Sequence, residues 1–176
     1  MAARSSALLA QVRSLLRIGN KNRAPNDLSE LSLQGLNLSG EDLKNVNLRH
    51  ANLSESDLRG ANLKNADLRG VNLVNANLSK ADLSWVNLSF AKMEGAKLRC
   101  ANLSNADMRW VSLIHGNLVK ANLERADLGD ANLEFADLSD ASLNGASLRR
   151  VNLTNTNLTG VIFDHTTEWP AGFKPG

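Results

Sequence analysis

The sequence contains no tyrosine, and aromatic residues make up only 4% of its 176 residues. Globular cores usually depend on aromatic side chains for buried area, so we expect a narrow, repetitive core of aliphatic side chains. The single cysteine, Cys100, excludes an internal disulfide bond and fits a reducing compartment. No apolar run is long enough for a transmembrane helix, and residues 1–20 lack the unbroken apolar core of a secretory signal, which favours the bacterial cytoplasm.

Neither sign of charge dominates, since the formal net charge is +2, but the charge is unevenly distributed. Residues 1–25 hold five basic residues and no acidic one. Residues 26–165 hold 14 basic and 17 acidic residues, a net charge of −3. The sequence therefore predicts a nearly neutral body with a basic N-terminal segment.

A large apolar residue stands at every fifth position from Leu28 to Phe163, in 28 consecutive repeats without an insertion. Two positions before nearly every central residue stands a small or aliphatic one, and the residue between them is mostly Asn or Asp. A period of five suits neither an α-helix nor a flat strand. A chain that extends for three residues and then turns a corner buries both apolar residues and exposes the polar one. The last repeat position, rich in Gly and Asn, suits such corners because both residues tolerate positive φ.

This motif, Ala-(Asn/Asp)-Leu-X-X, resembles that of the pentapeptide-repeat family, and the tail around Trp169 is similar to tails of cyanobacterial members. The resemblance implies an all-β fold, a right-handed quadrilateral parallel β-helix with four repeats per turn and about seven coils. We expect three segments: a basic amphipathic helix with a linker (1–25), the β-helix (26–165) and a C-terminal tail (166–176).

Both ends carry residues suited to cover the open edges of a coil stack. Apolar residues at helical spacing predict an N-terminal helix over 5–18, which Ser5 or Ser6 begins and Gly19 ends: Leu8, Val12, Leu15 and Leu16. We interpret it as a short capping α-helix; a docking or membrane-surface helix and a targeting peptide are the alternatives. At the other end we expect Trp169 and Phe173 to fold over the last coil, with Pro170 blocking further pairing.

No residue pattern typical of an active site is present, and we expect no enzyme activity. The three histidines, His50, His115 and His165, fall on different faces without neighbouring ligands, so no metal site is predicted. An interior filled by Ala and Leu leaves no pocket for a cofactor or a small-molecule substrate. We assign structural roles to the outward Asn and Asp residues and to Cys100.

Exposed aromatic side chains are the feature that solubility does not explain. Five corner residues and two outward residues fall together on the middle coils when four repeats make one coil: Trp85, Phe90, Trp110, His115 and Phe135, with Val74 and Ile114. Such a cluster usually marks a contact site. Mutual stacking that only shields the corners is the alternative.

A second column on the surface is basic. It holds Arg49, Arg69, Arg109 and Arg149, beside an acidic column of Asp67, Asp107 and Asp127. We interpret the two columns as ion pairs that neutralise each other, because a nucleic-acid stripe would be surrounded by less acid.

These observations favour a non-catalytic scaffold that binds an unidentified protein partner, as a monomer or weak dimer, without nucleic acid or membrane. The family resemblance implies an alternative, since some members mimic DNA, bind DNA gyrase and protect it from quinolones. Those members are strongly negative and some carry projecting loops. The nearly neutral repeat body and the absence of loop insertions disfavour that alternative here.

Overall fold

The computed structural model describes residue 7, residues 9–14, residue 16 and residues 26–175. Residues 9–14, with 7 and 16, are helical, and the β structure consists of single-residue parallel bridges from Asp27 to Glu168. Bridges join outward residues 20 positions apart, from Asp27–Asn47 to Ser142–Ile162. Four repeats therefore complete one turn of a parallel β-helix.

Every backbone N–H of a typical repeat has an acceptor, and the outward Asn or Asp supplies one of them. In the repeat centred on Leu88, the N–H groups of Asn87, Leu88 and Phe90 donate to carbonyls of adjacent coils at 3.0, 2.7 and 3.0 Å. The N–H of Ala91 closes the corner by donating to the carbonyl of Leu88 at 2.9 Å. The remaining N–H, of Ser89, donates to Oδ1 of Asn87 at 3.0 Å. The preference for Asn and Asp thus follows from the need to pair backbone polar groups.

The central residues form a continuous buried stack. Each one from Leu28 to Leu148 is at most 1% exposed, including the two methionines that replace leucine. The hydroxyl of Ser56, at an inward position, donates to the carbonyl of Leu53 at 2.6 Å, so its polar group is satisfied. The fully buried residues of the described chain include no aromatic one, as the composition predicts.

The N-terminal helix lies against the start of this core. Val12 is completely buried, and Leu9 and Leu16 pack against the core. Arg13, on the exposed side, forms an ion pair with Glu41 at 2.5 Å. Several residues on which the helix prediction depended lie outside the described residues: Ser5, Ser6, Leu8, Leu15 and Gly19.

At the C-terminal end, one extra residue between Phe163 and Trp169 shifts the register without ending the ladder. Glu168 bridges to Ser147, 21 residues earlier. Trp169 then stands where a central leucine would, and its side chain packs against the core. Its ring meets Phe163 edge-on at 5.4 Å and stacks on Phe173 at 5.1 Å between centroids. Aromatic rings, rare in the chain, thus gather at this end.

Candidate partner-binding site

The exposed aromatic residues stand at corners where the backbone is left-handed. The φ angles are 61° at Trp85 and Phe90, 55° at Trp110, 57° at His115 and 58° at Phe135. A residue with a Cβ loses about 1–2 kcal/mol in this conformation, and Gly or Asn is the usual choice. The same left-handed conformation recurs at the other corners, including charged ones, so the backbone does not distinguish these five. Corner geometry does not require an aromatic side chain and therefore does not account for these rings.

Phe90 and Trp110 lie on adjacent coils and stack face to face. Their ring centroids are 4.8 Å apart and their planes differ by 3°. Even so, Phe90 is 59% exposed and Trp110 45% exposed. Trp85, one corner earlier in the coil of Phe90, is 59% exposed. Stacking thus leaves a large apolar surface open to solvent.

A second stack stands at the next corner. The rings of His115 and Phe135 are 5.0 Å apart at 16°, and Phe135 is 47% exposed. Val74 and Ile114 are half-buried on the face between the two stacks. Glu94 occupies the position between Val74 and Ile114 in the same column, 20 residues from each. Its Oε2 atom is buried without a hydrogen-bond donor among the described residues. The open apolar surface therefore centres on Phe90 and Trp110.

The arginines of the basic column mostly carry their own counterions. Three of the four make bidentate ion pairs with N–O distances of 2.5–3.0 Å: Arg69 with Asp67, Arg109 with Asp107, and Arg149 with Glu168. The side chain of Arg49 has no ion pair with any residue of the described ranges. Arg69 and Arg109 each pair within their own repeat, because the side chain folds back on the aspartate two residues earlier.

The ion pairs change the acidity of the carboxylates. Hydrogen bonds from the Arg69 and Arg109 side chains lower the pKa values of Asp67 and Asp107, against the opposing effect of partial burial. The side chain of Arg149 likewise lowers the pKa of Glu168. Each carboxylate thus prefers its charged form in the folded state.

We expect the melting temperature to stay level from about pH 7 to pH 5 and to fall below about pH 4. A carboxylate with a lowered folded-state pKa stabilises the fold above its unfolded pKa, and that contribution disappears as pH falls through the folded value. Thermal melts by circular dichroism measure this. An Asp67→Asn/Asp107→Asn variant should show a smaller acid-induced decrease, and a fall near pH 6 in the wild type would contradict the assignment.

A notch of about 360 Å³ crosses the arginine-bearing face beside Trp110. It lies where Gly129 interrupts the arginine column, between Arg109 and Arg149. The sequence analysis assigned no role to this glycine. It also missed Arg125 and Arg150, which line the notch from neighbouring corners. The signal available was the 20-residue spacing, which places these residues on adjacent coils.

The other residues considered from the sequence lie at corners. The ring of His50 fills the space that a side chain at Gly70 would occupy, with Nδ1 2.5 Å from the position of a Cβ there. Cys100 is exposed at a corner with φ of 57°. Within the described ranges, no three His, Cys, Asp or Glu residues are arranged to hold a metal ion. No described helix is long and apolar enough to cross a membrane.

Comparison with known proteins identifies the repeat. The family model for pentapeptide repeats matches eight copies across 27–65, 61–99, 76–113, 91–130, 106–145 and 126–164. No curated protein matches this chain.

Several solved structures are similar to the chain. HetL, a pentapeptide repeat protein involved in heterocyst differentiation regulation in the cyanobacterium Nostoc sp. strain PCC 7120, is 34% identical. That match covers 81% of this chain and 78% of HetL, with a TM-score of 0.43. Rfr23 from the cyanobacterium Cyanothece 51142 is 26% identical over 92% of this chain and 99% of its own, with a TM-score of 0.33. QnrB1, a plasmid-mediated fluoroquinolone resistance protein, is 20% identical over 79% and 80%, with a TM-score of 0.32.

The matched segments together run from residue 27 to 164, which is most of the chain. They coincide with the residues whose bridges recur every 20 positions and whose corners are left-handed. The chain therefore belongs to the pentapeptide-repeat family and folds as its right-handed β-helix.

Proposed function

We propose that this protein is a non-catalytic scaffold whose middle coils bind a protein partner. The binding surface is the aromatic patch, defined as Trp85, Phe90, Trp110, His115 and Phe135 with Val74 and Ile114. The observation that carries the proposal is the Phe90–Trp110 stack, whose rings stay 59% and 45% exposed. Exposed clusters of large aromatic side chains are where binding energy concentrates in interfaces.

The architecture suits a scaffold. We infer seven coils, with the N-terminal helix as a cap that leaves the sides of the rod free. Hydrogen bonds at about 2.7–3.0 Å join each coil to its neighbours, so the backbone holds the patch residues at regular spacings. A surface that is organised before binding loses less conformational entropy when a partner docks. The interior is filled by central side chains, which leaves the outer surface to carry function.

Replacing both Phe90 and Trp110 by Asn should reduce partner binding by at least about tenfold and leave the fold intact. Asn favours the left-handed corner, as at Asn75 with φ of 58°, so stability should be unchanged or slightly higher. The measurement is affinity capture from lysate of the source organism, with quantitative mass spectrometry and a thermal melt of each bait.

The matched control is Lys80→Asn/Lys120→Asn, which changes two left-handed corners of another column, with φ of 62° and 59°. It should retain the proteins that the wild type retains. If the aromatic variant retains them too, the patch is not the binding surface. A fall of more than about 5 °C in the melting temperature of that variant would show that the stack is structural instead. Gyrase subunits among the proteins lost would indicate DNA mimicry.

A further inference from the structure

We propose that the partner segment is acidic as well as apolar, and that its carboxylates bind in the arginine notch, defined as the cavity lined by Arg109, Trp110, Arg125, Gly129, Arg149 and Arg150. The inference rests on the proposed function and adds the chemistry of the partner to it. The notch and the aromatic patch share one residue, Trp110.

Trp110 joins the two surfaces. One face of its ring stacks on Phe90 at 4.8 Å between centroids, and its side chain also lines the notch. The guanidinium carbon of Arg109 lies 5.4 Å from the ring centroid, within the range of a cation–π contact. A peptide lying across Trp110 therefore meets apolar rings on one side and guanidinium groups on the other.

The charges around the notch are balanced in number, but one arginine has no partner among the described residues. Four arginines line it with Asp127 and Asp130, and Asp107 and Glu168 pair with Arg109 and Arg149 from beside it. Arg150 holds both carboxylate oxygens of Asp130 at 2.6 Å, so that acid is already paired. The carboxylate of Asp127 accepts the Gly129 N–H at 3.0 Å and lies 3.7 Å from Nε of Arg109.

Arg125 is the group best placed to take a new carboxylate. It makes no ion pair with any residue in the described part of the chain, whereas Arg109, Arg149 and Arg150 are each paired. Guanidinium groups bind carboxylates through two parallel hydrogen bonds, and arginine and tryptophan are over-represented among the residues that dominate interface energies.

The notch exists because a side chain is missing. A Cβ at Gly129 would contact only Oδ1 of Asp127 at 3.2 Å, with its next neighbours at 3.8 Å and beyond. The backbone there is outside the left-handed region, so a larger residue suits the position. An arginine at this position would continue the column between Arg109 and Arg149 and would fill the cavity.

The test uses a phage-displayed library of random peptides, selected on the full-length protein. We expect enriched peptides to combine Asp or Glu with Trp, Phe or Leu. Anisotropy with a labelled selected peptide should show about a tenfold weaker affinity in about 500 mM than in about 50 mM NaCl, because salt screens exposed charges. Arg125→Glu and Gly129→Arg should each weaken binding by about tenfold or more.

Arg125→Glu is compatible with the fold, since Glu30 and Glu55 occupy corners with φ of 62° and 60°. The matched control is Lys120→Glu, which makes the same charge change at the preceding corner and should alter affinity less than about twofold.

Enrichment without acidic residues, or no enrichment, would overturn the inference. If peptide binding is lost in the Phe90→Asn/Trp110→Asn variant but is unchanged by Arg125→Glu and by Gly129→Arg, the notch is refuted as the carboxylate site. The proposed function would then stand. Peptides that need Arg125 but not the two rings would instead refute the shared surface and the aromatic patch. A labelled DNA duplex that binds the wild type and competes with the peptide would assign the notch to nucleic acid.

Discussion

Replacing Leu118 by Ala is expected to lower the free energy of unfolding by about 3 kcal/mol. Leu118 is completely buried at the centre of the stack, one coil from Leu98 and one from Leu138. Each coil of a solenoid contacts only its neighbours, so a cavity here weakens the contacts with both. Rigid hydrogen bonding between coils limits the collapse that would fill the cavity. Urea denaturation followed by circular dichroism measures the effect as a lower midpoint.

Leu158→Ala is the matched control, because it removes the same atoms from the same column in the last coil. Leu158 is only half-buried, at the end of the described stack. Its replacement should reduce the free energy of unfolding by about 1 kcal/mol, since less apolar area leaves water there on folding. Equal decreases in the free energy of unfolding at Leu118 and Leu158 would contradict this interpretation. They would show that contacts with a coil on each side do not add to the stability of a central leucine.

The middle of the fold follows closely from the sequence, because the period of five continues without an insertion. A constant period fixes which side chains stack once the number of repeats per turn is known. The 20-residue spacing places Phe90 beside Trp110 and His115 beside Phe135 on adjacent coils, and both pairs stack in the structure. The number of repeats per turn came from the family resemblance and not from the residues themselves.

The surface and the C-terminal end depend on details that the period does not contain. Trp169 takes a leucine position only because one residue is inserted before it, which the sequence Thr-Thr-Glu-Trp does not signal by itself. The ion pairs depend on side-chain conformations, so Arg149 reaches Glu168 instead of the neighbouring aspartate column. The arginine notch lies where Gly129 has no side chain. A sequence pattern is defined by the side chains that are present, so it does not predict a cavity left by a glycine.

Replacing Val12 by Asp is expected to undock the N-terminal helix and to cause concentration-dependent association. Val12 is completely buried, and an unpaired carboxylate in an apolar contact costs several kcal/mol. With the helix displaced, the first coil exposes unpaired backbone groups, which other chains can pair with. Light scattering coupled to size-exclusion chromatography, over a range of protein concentrations, measures the association.

Gln11→Asp is the control, since it introduces the same charge at an exposed position of the same helix. This variant should have the same molar mass in solution and the same melting temperature as the wild type. The comparison separates the two interpretations of the helix, because a cap contributes to stability and a docking element for a partner need not. If Val12→Asp changes neither mass nor melting temperature, the buried contact of Val12 does not protect the first coil. The helix would then be a second candidate for partner binding, at the end of the rod instead of its side.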